Sequence, residues 1–207
     1  MSIEGWIIFA VFWAVFVTTP GPNAVNCITN GMTFGFRRSV PGILAILTQA
    51  SAFLILSAFG ITALIAASPA AFAVAKLIGA GFLIWLGVRT WMRAGRRIEA
   101  PAHSSRSIYL RALAIATINP KSLAGYLAAF SQFIQPDVPV WDQMWVIMPT
   151  ALTLTALSYA GFTALGAGLG RAALGAVFNI WLQRGLAACF IAYGVLLGGT
   201  TTPERAT

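Results

Sequence analysis

Two short motifs place proline beside polar residues inside otherwise apolar segments. The first, TPGPN, covers residues 19–23, and the second, NPK, covers residues 119–121. A proline inside a helix removes one backbone N–H and displaces the carbonyl four residues earlier. The motifs therefore predict freed carbonyls that could bind an ammonium group. They also predict free amides, at the positive end of a restarted helix, that could bind a carboxylate.

The positions of the prolines specify which backbone groups each break should free. Pro22 suits the first position of a restarted helix, because its missing N–H would be unbonded there anyway. The next three amides, those of residues 23–25, would then be free. The carbonyls expected to lose their helical partner lie four residues before each proline: Phe16, Thr18 and Ala116. One broken helix thus offers groups for both charges of a zwitterion.

Lys121 is the basic side chain that lies at a break. It falls about ten residues into an apolar segment, where a lysine costs roughly 2.5–3.5 kcal/mol and should face the protein interior. A substrate carboxylate or a transported proton would be its partner there. The alternative is a lysine that reaches along the helix to the membrane surface.

Asparagine and glutamine within apolar segments are costlier to bury than serine or threonine, which often only mediate helix contacts. Asn26 and Gln49 are therefore candidates for a transport path. The full predicted substrate-binding set is Pro20, Gly21, Pro22, Asn23, Asn26, Gln49, Asn119, Pro120 and Lys121. Coupling to an ion is assigned to Lys121, and no catalytic or metal-binding residue is predicted.

The composition explains why these breaks must lie in a membrane. Of the 207 residues, 58% are hydrophobic and 9% are charged, whereas soluble domains carry about 25% charged residues. The first apolar segment follows Glu4 rather than a basic stretch and is too long for a signal peptide, so it should remain as a span. Six spans of adequate length are predicted: about 5–29, 41–65, 70–91, 110–134, 144–168 and 177–199.

Arginine in the short connections predicts the orientation. The odd-numbered connections carry cations, such as Arg37 and Arg38 in the first, and the fourth carries Asp137 and Asp142. By the positive-inside rule the odd connections face the cytoplasm and both termini face outside. The net charge of +8 could instead indicate a nucleic-acid partner. That alternative is disfavoured because the cations sit at helix ends.

The spacing between a proline and a later cation occurs twice along the chain, and this repeat predicts the architecture. Pro41 precedes Lys76 by the same number of residues as Pro149 precedes Arg184. Three spans per repeat is an odd number, so the second repeat must be inverted, as in many secondary transporters. The predicted fold is an all-α integral membrane protein of six transmembrane helices in two inverted three-helix repeats, with helices one and four broken by proline. Residues 1–207 form one transporter domain, with repeats at about 5–91 and 110–199 and a basic cytoplasmic loop at about 92–109.

Four stretches carry a family resemblance: TPGPNAV, GMTFGFRRSVPG, KLIGAGFLIWLGVR and NPKSLAGYLAAFSQF. From about residue 5 to residue 199 the chain resembles the lysine exporter (LysE/RhtB) family of bacterial amino-acid efflux proteins. The resemblance implies a multi-pass, inner-membrane exporter of amino acids or related metabolites, driven by the proton gradient. The family's motifs map onto Pro20, Gly21, Pro22 and Asn23, onto Asn119, Pro120 and Lys121, and onto Lys76, Gly79 and Gly87. Many relatives have a glycine, often followed by aspartate, early in span two, where Gln49 is the nearest polar residue here.

The distribution of acidic residues limits the charge that the substrate can carry. All five lie in termini or connections: Glu4, Glu99, Asp137, Asp142 and Glu204. A cationic substrate would need a buried anion to offset its desolvation. A neutral, zwitterionic amino acid of the homoserine, threonine or leucine type is therefore expected. Its carboxylate would meet Lys121 and the amides after Pro22, and its amine would meet freed carbonyls and Asn23 or Asn119.

Other functions of the same helix plan are less consistent with the sequence. A thiol–disulfide carrier would place cysteines at symmetry-related breaks in spans one and four, and Cys27 has no counterpart in span four. An ion exporter would need carboxylate or imidazole ligands in the spans, and an enzyme would need a nucleophile–base set. The expected partners are an amino acid and the lipid bilayer, without cofactor or nucleic acid. A homo-oligomer is compatible with the pattern.

Overall fold

The computed structural model describes residues 2–67, 69–95, 108–177 and 179–199, and every regular element in that part of the chain is an α-helix. The predicted basic loop at 92–109 lies mostly outside these residues. The helices are α1 (Ile3–Thr18), α2 (Pro22–Ala67), α3 (Pro69–Met92), α4 (Ile108–Ile118), α5 (Pro120–Phe133), α6 (Val140–Leu169), α7 (Arg171–Val177) and α8 (Ile180–Gly199).

Two interruptions separate short helices at the proline motifs. α1 ends at Thr18 and α2 begins at Pro22, while α4 ends at Ile118 and α5 begins at Pro120. Thr19 and Asn119 both have extended backbone, with ψ angles of 122° and 112°. Each of them precedes a proline, and the proline ring sterically disfavours helical geometry at the preceding residue. Local sequence is therefore sufficient to explain where both helices stop.

The two prolines that define the repeat spacing do not interrupt their helices. Pro41 lies inside α2 and Pro149 inside α6. The expectation that a span opens at Pro41 is wrong, because the kink in α2 lies at Gly35, whose φ of 73° is a conformation that glycine adopts without a steric penalty. The predicted fifth span likewise begins earlier, at Val140.

Glycines bring α3 and α8 into close contact. A Cβ atom on Gly87 would lie 2.8 Å from the carbonyl oxygen of Ala187, and one on Gly194 would lie 2.9 Å from that of Ala80. Early residues of α3 thus face late residues of α8, so the two helices run in opposite directions. Small residues allow this approach between backbones, as in membrane helix pairs.

The helix surfaces are consistent with a lipid environment. Large apolar side chains remain exposed on several helices, including Trp145, Ile118 and Leu157. Two helical segments, Pro22–Gly60 and Val140–Leu169, are long and apolar enough to cross a membrane on their own. Shorter apolar helical segments accompany them: Ile3–Thr18, Leu77–Met92, Ile108–Ile118 and Ile180–Leu196. The chain is an all-helical membrane protein over its described residues.

A cluster of buried rings fills the space between α1, α5 and α8. We call it the aromatic cluster; its members are Phe9, Phe12, Trp13, Phe16, Tyr126, Phe130 and Phe190. Neighbouring rings meet mostly edge to face, as between Phe16 and Tyr126 with centroids 6.0 Å apart, an arrangement that aromatic pairs favour. The last ring of α1 in this cluster, Phe16, lies directly before the first interruption.

Candidate substrate site at the two helix interruptions

The side chain of Lys121 joins the two interruptions. Its Nζ donates hydrogen bonds to the carbonyl oxygen of Phe16 at 2.5 Å and to that of Thr19 at 2.8 Å. Lys121 is the second residue of α5, and both carbonyls belong to the broken end of α1. A carbonyl predicted from the first motif to be freed is therefore in contact with the lysine of the second motif.

Two further backbone groups at the end of α1, the amide of Thr19 and the carbonyl of Val17, also have partners. The amide and hydroxyl of Thr19 both donate to the carbonyl of Val15. The hydroxyl of Ser158, in α6, donates to the carbonyl of Val17 at 3.2 Å. Unpaired backbone groups cost several kcal/mol in lipid, so α5 and α6 together make the interruption tolerable.

The ring of Phe16 forms one wall beside the ammonium. Lys121 Nζ lies 4.9 Å from the ring centroid, within the range of a cation–π interaction. Gly125 lies against the same ring, because a Cβ atom added to Gly125 would lie 2.5 Å from ring atoms of Phe16. Glycine at position 125 is therefore required for Phe16 to occupy this place.

Hydrogen bonds to α6 hold α1 in position on the aromatic side of the site. The indole Nε1 of Trp13 lies 3.1 Å from both the carbonyl oxygen of Ala151 and the hydroxyl of Thr155. Nearer the start of α1, the indole Nε1 of Trp6 donates a hydrogen bond to the hydroxyl of Thr150 at 3.0 Å. Later residues of α1 contact later residues of α6, so these two helices run in the same direction.

A polar stripe runs from the interruption along the first turns of α2. Asn23, Asn26 and Asn30, which we call the asparagine stripe, follow Thr19 at helical spacing, and all four side chains are buried. The side chain of Asn23 lies close to the hydroxyl of Tyr159, in α6. Its Oδ1 atom nevertheless has no partner. The ring of Phe16 thus lies against the ammonium of Lys121, and buried polar side chains follow Thr19, whose carbonyl that ammonium binds.

Arg111, in the first turn of α4, reaches this stripe. One of its terminal nitrogens (Nη2) donates to Oδ1 of Asn26 at 3.2 Å. From the sequence alone, Arg111 is one of the cations beside the third connection, which the positive-inside rule places at the cytoplasmic surface. The spacing of residues 19, 23, 26 and 30 could have indicated a buried polar face, but nothing in the sequence specifies which helix packs against it.

The free amides at the start of α2 are fewer than predicted. The amide of Val25 donates to the carbonyl of Gly21 at 3.1 Å, so the expectation that it stays free is wrong. The helix closes its first bond there because Gly21, although outside α2, already supplies an acceptor. Asn23 and Ala24 precede that first bonded amide, and their N–H groups lie in the unpaired first turn of the helix.

Asn119 acts as the N-cap of α5. Its Oδ1 accepts a hydrogen bond from the backbone N–H of Lys121 at 3.1 Å. This is the ordinary role of asparagine at a helix start, and it orients the residue that carries the ammonium. The ring of Pro120 and the side chain of Lys76 are outside the described atoms.

Three predicted site residues and two motif glycines do not bond the ammonium of Lys121. Gln49 is buried, both polar atoms of its side chain lack a partner, and no hydrogen bond links it to either interruption. Pro20 and Gly21 form the interruption itself, and a Cβ on Gly21 would lie 3.9 Å from the Lys121 side chain. Gly87 packs against α8, and Gly79 is buried in α3.

Comparisons with known proteins identify a family whose match includes both motifs. The LysE type translocator family matches residues 14–200, which include both interruptions. A membrane protein of Vibrio cholerae is 34% identical over 200 residues, covering 95% of this chain and 98% of its own.

Two relatives carry the names of transported compounds. The homoserine/homoserine lactone efflux protein of Salmonella typhimurium is 28% identical over 200 residues, covering 95% of this chain and 97% of its own. The leucine efflux protein of an Enterobacter species is 28% identical over 150 residues, or 70% of this chain and 71% of its own. No solved structure matches the chain. The chain is thus a member of the LysE type translocator family of membrane efflux transporters.

Proposed function

We propose that the protein is a secondary transporter that exports a neutral, zwitterionic amino acid and is driven by the proton gradient. The observation that carries the proposal is the ammonium of Lys121 bound to the carbonyls of Phe16 and Thr19. These carbonyls form a preorganised cation site on a broken helix, and the protein's own amine occupies it. A substrate amine has the same chemistry and could replace that ammonium.

Replacement would create the second half of a zwitterion site. Once a substrate amine bonds the carbonyls, the displaced Lys121 ammonium becomes available to the substrate carboxylate. The amides of Asn23 and Ala24 add donors at the positive end of the α2 dipole. A proton carried by Lys121 in one state and released in another would couple this exchange to the gradient.

The surroundings of the site support an alternating-access cycle. The ring of Phe16, a member of the aromatic cluster, packs against Lys121, and we place the solute route along the asparagine stripe that follows Thr19. In this state, water and solute would reach the site along the polar side, and export would require the rings of Phe16 and Tyr126 to separate. Trp13 and Ser158 tie α1 to α6, so these helices would move as a pair.

We also propose the six-span, inverted-repeat arrangement within a single domain. α1 has 16 residues, and α4 and α5 have 11 and 14, too few singly for a span of about 20 residues. Joined end to end across their interruptions, α1 with the start of α2, and α4 with α5, would each be long enough. The opposite directions of α3 and α8, which occupy equivalent places in the two repeats, are consistent with inversion.

The proposed location is the bacterial inner membrane with both termini outside. Reporter fusions test this orientation directly. A fusion after Ser105 should read as cytoplasmic and one after Val140 as extracytoplasmic, because arginine is concentrated in the odd connections. The opposite pattern of reporter activity would overturn the orientation while leaving the repeat intact.

The substrate class follows from charge. The described acidic residues lie in the first turns of α1 and α6 and in the connection after α5, so no carboxylate is available near Lys121 to offset a cationic side chain. Homoserine and leucine, which appear in the names of two relatives, are neutral zwitterions. They are the first compounds to test.

Growth of a sensitive host on inhibitory amino acids and dipeptides tests the function. Cells expressing the protein should tolerate higher external concentrations of neutral amino acids than cells with an empty vector, because export lowers the internal concentration. A protonophore should remove this protection. Protection confined to lysine or arginine would contradict the proposed substrate class, and protection unaffected by the protonophore would contradict proton coupling.

A further inference from the structure

The pair formed by Arg111 and Asn26 has unused donors. Asn26 is buried, and its Oδ1 accepts the hydrogen bond from Arg111, but the N–H donors on its Nδ2 have no partner. Nε of Arg111 is also buried without a partner. Both orphaned atoms are hydrogen-bond donors, and a buried donor left unpaired costs about 1–3 kcal/mol. The missing groups are therefore acceptors.

The charge at this place calls for an anionic acceptor. Arginine side chains are positively charged in proteins, and Arg111 donates its hydrogen bond to a neutral amide. Guanidinium and carboxylate groups form strong, directional hydrogen bonds because their planar geometries match. An oxyanion beside Nε of Arg111 and Nδ2 of Asn26 would satisfy both donors and the charge.

The pair is separated from the Lys121 site. Asn26 follows Gly21 by about 7.5 Å along the axis of α2, and Arg111 precedes Asn119 by about 12 Å along α4, at about 1.5 Å per residue. The two charges of an α-amino acid are joined through a single carbon atom, so one molecule cannot span both places. Asn23 lies between them on the same face of α2, with its Oδ1 unpaired.

We infer that Arg111 and Asn26 form a second subsite, which binds the substrate carboxylate before the amino acid reaches Lys121. This inference rests on the proposed export function and the proposed orientation, in which Arg111 is near the cytoplasmic surface. The substrate carboxylate supplies the missing acceptors, and the unpaired oxygen of Asn23 receives the amine as the molecule moves inward. The asparagine stripe is thus the cytoplasmic route to the interruption.

Transport by full-length protein in inside-out and right-side-out vesicles tests the subsite, with leucine and homoserine as probes. Arg111→Gln should raise the half-saturating concentration at the cytoplasmic face about 10- to 100-fold, the size expected for loss of a charge-assisted hydrogen bond. The maximal rate and the half-saturating concentration at the outer face should change little. Arg111→Lys should restore part of the affinity, since it keeps the charge but not the planar geometry.

Asn26→Asp is a second variant that does not depend on removing the arginine. It places a carboxylate beside Arg111 with little change in volume, so it should imitate an occupied subsite and raise the same half-saturating concentration. Thr48→Val is the matched control. The hydroxyl of Thr48 accepts a hydrogen bond from the hydroxyl of Tyr109 at 3.0 Å. This bond links the same two helices, α2 and α4, at an exposed position. Its removal should leave the half-saturating concentrations at both faces unchanged.

Three results would overturn the inference. Unchanged cytoplasmic half-saturation in both variants would show that no carboxylate binds there. An equal loss of maximal rate at both faces would indicate a purely structural role. An effect of Arg111→Gln that appears only in vesicles containing phosphatidylglycerol, and not in phosphatidylcholine alone, would assign the site to lipid phosphate. If the parent protein moves neither amino acid, the proposed function fails and the inference falls with it.

Discussion

Replacing Lys121 with methionine is expected to abolish net export while the protein still accumulates in the membrane. Methionine preserves most of the side-chain length but removes the charge and both hydrogen bonds to the carbonyls of Phe16 and Thr19. A hydrogen bond to a charged group contributes about 1.5–3 kcal/mol, or about 10- to 100-fold in an equilibrium. Loss of two such bonds, and of the proposed carrier of the proton, should reduce export below detection. Efflux of labelled leucine or homoserine from preloaded vesicles measures the effect.

Lys121→Arg separates a fixed charge from an exchangeable proton. Arginine retains the positive charge but does not release its proton in proteins. If Lys121 takes part in coupling, this variant should also lose net export, although it could still bind substrate. Normal export with an unchanged pH profile in Lys121→Arg would show that the lysine serves only as a fixed charge and that coupling lies elsewhere.

Joining α1 and α2 into a continuous helix should have an effect of similar size. Replacing Pro20, Gly21 and Pro22 with alanine restores two N–H donors and the residue type with the highest helix propensity. The carbonyl of Phe16 would then bond the amide of residue 20 and no longer be available to Lys121. We expect an inserted protein of equal or greater thermal stability that exports at least about tenfold less, since the charge-assisted bonds are lost.

Pro41→Ala is the matched control for the repaired interruption. Pro41 lies within α2, which continues through it, and its side chain is exposed. Removing a proline there changes helix content without touching the Lys121 site, so export should remain near the parent rate. Export at the parent rate in the triple alanine variant would show that the interruption is a kink without a role in binding.

The two interruptions could be predicted because their causes are local. Proline lacks an N–H and restricts the residue before it, and these effects hold in any tertiary context. The same reasoning failed at Pro41. A proline in an otherwise favourable helix can be accommodated as a kink, and here the bend is at Gly35, where the backbone adopts φ of 73°. Proline alone therefore does not define a helix end.

The contacts across the site could not be derived from local rules. The sequence indicated that a carbonyl of α1 would lack a partner and that Lys121 would be buried, but not that one would bind the other. Likewise, Arg111 reads as a cation beside a connection until α4 is placed against α2, and Ser158 reads as an ordinary helix-packing serine. Each of these roles depends on which helices are neighbours.

The sequence by itself determined the class of protein, the places where the first and fourth predicted spans break, the family, and the absence of acidic residues from the predicted spans. These follow from composition and from backbone sterics, which act within a few residues. Only the tertiary structure decided that Lys121 occupies the carbonyls of Phe16 and Thr19, and that Arg111 reaches Asn26. Such pairings join residues about a hundred positions apart, and they form because each buried polar group must find a partner among whichever helices pack beside it.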